Sequence, residues 1–598
     1  MSSASSSRIS SILLLLLGAG AFAGFRKCYA DPYPAALIAQ LMFLPLVLAV
    51  SFIRPIRQAI ARTIERLRTP SAKGKLIGAL VVATIAFFYL WRAAVLHDRD
   101  LSPRLQDEFS YLIQAQLLSH GKLWLPSPPL ADFFETFHVI VKPVYASVYF
   151  PGTAMLYVPG VWLHLAHYWT ALGLCAISVG LIYLLATELL DGAFGLLAAL
   201  TLLTTRAFYI YSTLALSNIP AMIAGLLVYL AWLNWRKCTS NRARIGWAMV
   251  LGAVCGWGLI VRPLEMLAYI IPIAFLVEPL QLRRSIWVAF VAALPFLSIQ
   301  LIFNKGVTGH YFSTPYRAYF DDFQPNTGLG FAKDDPAAHP KSDLKQKHDL
   351  YDNFLRPMLG WSRSEMFARW RIKFTTTATL PSDLLLLFIP LGAAAVLRDR
   401  RRIVCLVTPI LFLGLYALYP YYMEYYALAI APCVIVLALG GARALIDIAR
   451  SPPARDGANV FVMCAIAAVC IAALPETRLD FGEELDAIPG LRNVNQELPL
   501  HAQPPAVVLF AYTDGASPHE EPVYNYDVAN PLDAAIIRAQ DLGDERNRQI
   551  IEFFATHRPA TNFYRFDRGK RQLQSLGTAA HLFSELPAHP ATAPAGVR

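Results

Sequence analysis

The sequence predicts an all-α polytopic membrane protein with a small α/β lobe at its C-terminal end. Three observations carry this. The chain of 598 residues is 56% hydrophobic and 16% charged, where a soluble protein holds roughly 25% charge. Its apolar residues fall in blocks of about 16 to 22, long enough to cross a bilayer and too many for one soluble core. After the last block, at 475–598, the pattern changes to short β-branched runs around one amphipathic stretch.

The net charge of +10 raises nucleic acid as a partner, but its distribution excludes that reading. Arg and Lys gather in short loops between the apolar blocks, as positive-inside segments do. These are 54–76, 236–244, Arg283–Arg284, 398–402 and 450–455. Fitting spans between these anchors gives about thirteen helices of bilayer length. They lie near 10–25, 35–53, 77–95, 168–188, 192–208, 219–235, 245–261, 264–280, 285–303, 382–397, 403–419, 426–446 and 459–474. The block at 10–25 resembles a signal peptide, but a second span follows at once, so it reads as a retained anchor. The N-terminus is then cytoplasmic. Loops 96–167 and 304–381 and the tail 475–598 lie on the opposite face. Three regions result: 1–76, with two additional helices and a basic loop; 77–474, the transmembrane body; and 475–598.

Most cysteines sit inside apolar blocks (Cys175, Cys255, Cys405, Cys433, Cys464 and Cys470) without metal-type or disulfide spacing. No internal repeat is visible, which gives an inverted-repeat transporter no support. In the tail, 506–512, 534–540 and 561–567 read as strands. Residues 544–557 read as a helix with Ile550, Ile551, Phe553 and Phe554 on its apolar face. The final "PAHPATAPAGVR" cannot build a core.

The chemistry-bearing residues concentrate in loop 96–167. Asp107 and Glu108 open an amphipathic stretch in which Phe109, Leu112, Ile113, Leu117 and Leu118 keep helical spacing, as in a helix lying on a membrane surface. Glu135 and His138 are three apart and share a face if that piece is helical. They raise a divalent metal as an alternative, although two ligands are too few to define one. Lys142 follows, then proline. Arg262 falls at the outer end of a span with Glu265 one turn on, and Arg317 lies in the second large loop. Read alone, the acid pair also suits a helix N-terminus, Lys142 a headgroup-seeking lysine, and Arg262 with Glu265 a structural pair. The tyrosines 416, 419, 421, 422, 425 and 426 read most simply as an interfacial girdle.

An Asp-Glu pair in the first large outer loop resembles the GT-C glycosyltransferases, in particular the protein O-mannosyltransferase and lipid A aminoarabinose transferase superfamily. Further stretches are similar to a bacterial branch of it: "DEFSYLIQAQLLSHGKLWLPSPP", "FFETFHVIVKPVYASVYFPG", "NKGVTGHYFSTPY", "EYYALAIAP" and "VYNYDVANPLDAAIIRAQDLG". The resemblance covers most of the chain from about residue 77. It implies a GT-C fold in the inner membrane with its active site on the periplasmic face. It implies a polyprenyl-phosphate sugar as donor and a periplasmic glycan, lipid or protein as acceptor, both met at the lipid bilayer.

By position the resemblance makes Asp107 the catalytic residue, with Glu108 in support, and Lys142 the first contact for the donor phosphate; Arg262, at the outer end of a span, and Arg317, in the second outer loop, are the further candidates. Glu135, His138, Asn218, Glu265, Tyr316 and Glu424 would line the substrate cavity. At Asn218 the chain departs from many relatives, which carry an acid in that loop. The residues suit the chemistry independently. A phosphate monoester leaves readily, so one carboxylate base for the acceptor hydroxyl suffices, and attack from the opposite face inverts the anomeric centre. Burial beside a second acid is expected to raise the pKa of Asp107. A transporter or flippase, or a non-catalytic scaffold, is the alternative reading. Charges confined to span ends and loops argue against transport.

Overall fold

The structure, a computed structural model, describes residues 44–474 and 489–586, apart from 46, 50, 277–278, 329–333, 361, 379, 381–382, 398 and 450–451. The expected span at 10–25, most of that at 35–53, and the final "PAHPATAPAGVR" lie outside the described residues.

Six helices among the described residues are long and apolar enough to cross a membrane: Ala72–Leu96, His167–Leu189, Asn218–Lys237, Ser285–Thr308, Tyr425–Ile446 and Arg455–Ala472. A bent pair, Gly192–Leu203 with Arg206–Thr213, adds a seventh if counted as one span. The described residues therefore account for six or seven of the thirteen expected spans. Several apolar blocks fold into helices too short to cross alone. Ile403–Tyr416 has 14 residues, about 21 Å against the roughly 30 Å of a hydrocarbon core, and the described helix Pro263–Leu276 also has 14, residues 277–278 beyond it lying outside the description. The block at 382–397 divides between a 3-10 turn, Asp383–Phe388, and a short helix, Ile389–Val396.

The bend has a local cause. Thr204 Oγ1 turns back onto the Leu200 and Thr201 carbonyls at 3.0 and 3.2 Å, and Thr205 Oγ1 onto Thr201 at 2.9 Å. Such back-bonding hydroxyls loosen the ladder and bend helices. The two parts meet at 61°, and the chain beyond them is delivered to the site described below.

Burial separates central from peripheral helices. Within their apolar windows, Asn218–Lys237 is 89% buried and Tyr425–Ile446 is 83% buried, whereas Ala72–Leu96 is 28% and Ser285–Thr308 17% buried. The outer pair leaves Leu80, Ile85, Phe88, Trp287 and Val291 exposed, as lipid-facing helices do. Small residues allow close approach. Gly252 and Gly256 press the Asn241–Leu259 helix against the backbone at Ala289 and Ala293. A Cβ on Gly252 would overlap the Ala289 carbonyl. Gly252→Val is therefore expected to lower the thermal unfolding midpoint by several degrees, read by differential scanning fluorimetry in detergent, whereas Gly246→Ala, in open space, leaves it unchanged.

The 96–167 segment folds as the Gln106–Ser119 helix, then β1 (Leu125–Pro126), β2 (Val139–Ile140) and β3 (Val144–Ser147) in the order β1-β3-β2. The expected surface helix is not one. Phe109, Ile113 and Leu117 are fully buried, because the C-terminal lobe covers them. That lobe is a four-stranded sheet of β4 (Ala506–Ala511), β5 (Ile536–Gln540), β6 (Asn562–Asp567) and β7 (Gln572–Thr578), ordered β5-β4-β6-β7. β4 runs parallel to β5 and β6, and β7 antiparallel to β6. The Asp544–His557 helix packs Ile550, Ile551 and Phe554 into its core. The same apolar cluster contains Phe109, Ile113 and Tyr145, and Phe109 stacks on Tyr524 at 4.3 Å between ring centroids.

Candidate active site

The Gln106–Ser119 helix starts with its two acids on opposite duties. Backbone N–H groups at a helix start need acceptors, and Glu108 serves those at the N-cap Leu105 and at Arg104 before it. Its Oε2 accepts from the amides of Arg104 and Leu105 at 3.0 and 3.1 Å. Its Oε1 accepts from the amide of Ala215 at 2.9 Å. Glu108 is fully buried and ties the helix start to the loop that follows the bent pair. Burial pushes its carboxyl above the usual value, the backbone donors at Arg104 and Ala215 opposing this.

Asp107, one position earlier, turns the other way and keeps 26% of its side chain exposed. Its Oδ1 lies 2.9 Å from His138 Nδ1 and accepts from the Tyr149 hydroxyl at 2.6 Å. That hydroxyl is also 3.1 Å from His138 Nδ1, closing a triangle. Burial works to raise the Asp107 carboxyl. The hydrogen bond and charge of His138, the Tyr149 hydroxyl and the Arg262 charge outweigh it and hold the group below the usual carboxylate value. This corrects the expectation of a raised pKa: the neighbouring acid faces away, and the groups that face Asp107 are donors. Burial drives the Tyr149 phenol well above its ordinary value, so it remains a donor.

His138 does not share a helical face with Glu135. Glu135 ends a 3-10 turn, Ala131–Phe134, and His138 has φ 58°, a left-handed conformation that costs a non-glycine residue about 1–3 kcal/mol. Glu135 points away to Lys347 Nζ at 2.9 Å and Ser342 Oγ at 2.6 Å. The two side chains therefore do not converge as a metal pair. Among the described residues no group of three or more His, Cys, Asp or Glu has metal-binding geometry.

A second cluster surrounds Arg262, between the Asn241–Leu259 and Pro263–Leu276 helices. Its guanidinium pairs with Glu265 through Nε, donates from Nη1 to Ser217 Oγ and Asn218 Oδ1 at 2.9 Å each, and donates from Nη2 to the Tyr416 hydroxyl at 3.0 Å. Tyr416 in turn donates to Glu265 at 2.6 Å. The Tyr426 ring lies 4.6 Å beneath the guanidinium. Asn218 is buried, and its amide nitrogen has no hydrogen-bond partner. Tyr111, stacked on Tyr149 at 4.7 Å and lying against Ser217, bridges this cluster to Asp107.

The tyrosines read as a headgroup girdle are instead largely inside. Tyr416 and Tyr425 are buried, and rings 416, 419, 422 and 426 pack on one another at 5.7–6.2 Å. Tyr316 reaches them, its hydroxyl 3.4 Å from that of Tyr419. Two sequence candidates for phosphate binding fall outside this assembly. Lys142 is 61% exposed and pairs at 2.5 Å with Asp132, which also accepts from Arg546 at 3.1 Å. Arg317 is 78% exposed and pairs with Asp321 at 3.4 Å. The side chain of Glu424 lies outside the described residues. The sequence reading missed Tyr149, Tyr111, Ser217 and Tyr319. Only Tyr149 carried a signal, its place in the short apolar "VYFPG" turn.

No family model and no curated protein matches the chain. Among solved structures it is similar to ArnT from Cupriavidus metallidurans bound to undecaprenyl phosphate, with 14% identity over 82% of this chain and 89% of that one and a TM-score of 0.47. For the same protein in the apo state the values are 12%, 83%, 93% and 0.47. The apo oligosaccharyltransferase of Archaeoglobus fulgidus gives 14% identity over 79% of this chain and 66% of that one, with a TM-score of 0.44.

Proposed function

We propose that the chain is an inner-membrane glycosyltransferase. It moves a sugar from a polyprenyl-phosphate donor to a hydroxyl acceptor on the periplasmic face, with inversion. The observation that carries this is Asp107: a part-exposed carboxylate, kept ionised by His138 and Tyr149, electrostatically linked to the part-exposed Arg262, whose neighbour Asn218 holds unused N–H donors among the described residues. Asp107 takes the proton of the acceptor hydroxyl as its oxygen bonds to the anomeric carbon. The bond from that carbon to the phosphate oxygen breaks on the opposite face. The leaving polyprenyl phosphate keeps the electron pair, and its charge is met by Arg262 and the Asn218 amide. Tyr416 and Glu265 hold the guanidinium in place. The basic loops between spans support a cytoplasmic N-terminus, with the 475–598 tail on the periplasmic side.

The test offers the purified full chain, in lipid nanodiscs, a panel of undecaprenyl-phosphate-linked single sugars with cell-envelope acceptors. Release of undecaprenyl phosphate together with a glycosylated acceptor is expected for at least one donor. Movement of intact donor across the bilayer without cleavage would replace the reading with a flippase.

A pH prediction follows from the low carboxyl. The acid limb of kcat/KM should lie below the ordinary carboxylate value near about 3.9. His138→Phe removes the largest lowering influence and leaves burial to act, so the limb should move to higher pH, with kcat at neutral pH falling about tenfold. An unmoved limb would assign the titration to another group.

A further inference from the structure

The residue facing Asp107 is held from far away. The main chain of 135–138 is gripped at three consecutive points by side chains remote in sequence. Gln540 Nε2, at the end of β5, donates to the Glu135 carbonyl at 2.8 Å. The Tyr524 hydroxyl donates to the Phe137 carbonyl at 3.2 Å. The His138 N–H donates to the hydroxyl of Tyr319, on the Pro315–Phe323 helix, at 3.0 Å. The His138 carbonyl closes the grip on the near side, accepting from Ser110 Oγ at 2.6 Å.

These grips are themselves anchored. Gln540 also donates to Glu521 at 3.1 Å, and Glu521 is paired in full burial with Arg568 at 2.9 Å. The Lys347 ammonium, 2% exposed, bonds Glu135 and lies 3.8 Å from the Phe323 ring centroid. His138 sits in a left-handed conformation, which persists only when the surroundings over-determine it. With the hydrogen bonds at 135, 137 and 138 all supplied from outside the segment, the surroundings do so here.

We propose that the C-terminal lobe is a working part of the site: through Gln540 and Tyr524, and together with Tyr319, it fixes residues 135–138 and so sets His138 against Asp107. These three are positioning residues, and their catalytic consequence rests on the reading of Asp107 as base. Besides His138, the titratable and charged groups facing Asp107 are Tyr111, Tyr149, Tyr316, Tyr419, Tyr425, Tyr426, Tyr524 and Arg262; of these only Tyr524 belongs to the lobe.

The test is a thermal cycle on the full chain and needs no substrate. Unfolding midpoints are measured from pH 7 to pH 3 for the parent, Asp107→Asn, Tyr319→Phe/Tyr524→Phe, and all three changes combined. A carboxylate with a depressed folded-state pKa contributes stability that is full above its unfolded value and is lost as pH falls through the folded value. The parent should therefore exceed Asp107→Asn at pH 7, and the gap should close at acid pH. In the Tyr319→Phe/Tyr524→Phe background the gap should shrink at pH 7 and close at higher pH, because His138 is no longer held in place. A merely structural role for the two hydroxyls lowers all midpoints alike and leaves the gap unchanged, which would overturn the proposal. If the double background fails to fold, Tyr524→Phe alone, which removes one oxygen, is read in the same way. In transfer assays Tyr319→Phe/Tyr524→Phe, with Asp107 intact, should lower kcat about tenfold at unchanged donor KM. Absence of transfer by the parent would sink the glycosyltransferase reading while leaving the thermal result to stand by itself.

Discussion

Asp107→Asn should abolish sugar transfer, by about 100- to 10,000-fold in kcat, while leaving the protein folded and able to retain undecaprenyl phosphate. The change is nearly isosteric. Asparagine Oδ1 still accepts from the Tyr149 hydroxyl, which lies 2.6 Å away in the parent, so packing is kept and only the proton-accepting charge is lost. Transfer from a polyprenyl-phosphate sugar, followed in detergent or nanodiscs, reads the effect directly. Full activity in this variant would remove the general base from the account. Reduced donor retention with unchanged turnover of bound donor would make Asp107 a binding group instead.

The second large effect falls on stability. Glu108→Ala should destabilise the fold by about 3–6 kcal/mol. The change orphans the buried amides of Arg104, Leu105 and Ala215 at about 1–3 kcal/mol each, only part of which relaxation and water can recover. Glu108→Gln, with one acceptor oxygen retained, should cost less. The sign of its pH dependence is opposite to that of Asp107. Because burial raises the folded-state pKa of Glu108, the stability linked to its protonation is present below the unfolded carboxylate value and is lost as pH rises through the folded one. The glutamine variant lacks that dependence. Denaturation in mixed micelles at pH 4 and pH 8 checks both statements, and equal cost for the two variants at both pH values would contradict them.

Membrane class was legible in the sequence because length and apolarity are properties of whole blocks. Span count was less so. An apolar block such as 403–419 satisfies a composition test, yet it yields only a 14-residue helix here. The division of labour between Asp107 and Glu108 was anticipated only as resemblance. What separates them physically is the roughly 100° of helix rotation between adjacent residues, which sends one to backbone amides and the other to His138. Arg262 stood out because an arginine beside an apolar block needs a partner, and Glu265 supplied one. Lys142 is expected from the resemblance and Arg317 from its place in the second outer loop. Both are neutralised by nearby acids, Asp132 and Asp321, and the i,i+4 spacing of Arg317 and Asp321 already offered that reading.

Other features depend on tertiary placement. Glu135 and His138 match helical spacing, but the left-handed backbone at His138 is imposed by partners as far away as Tyr524 and Gln540. Tyrosines 416 to 426 suit a headgroup belt equally well by composition. The approach of Tyr416 and Tyr426 to Arg262 arises only once the Ile403–Tyr416 helix packs on Pro263–Leu276 and residues 424–430 pack on the Asn218–Lys237 helix.

The most direct measurement is an experimental structure of the full chain with undecaprenyl phosphate, determined in nanodiscs. The account predicts density for the phosphate within hydrogen-bond reach of Arg262 and the Asn218 amide, with Asp107 facing the space where the sugar would stand. Phosphate seated at exposed Lys142, or absent from the Arg262 cluster at saturating lipid, would contradict it.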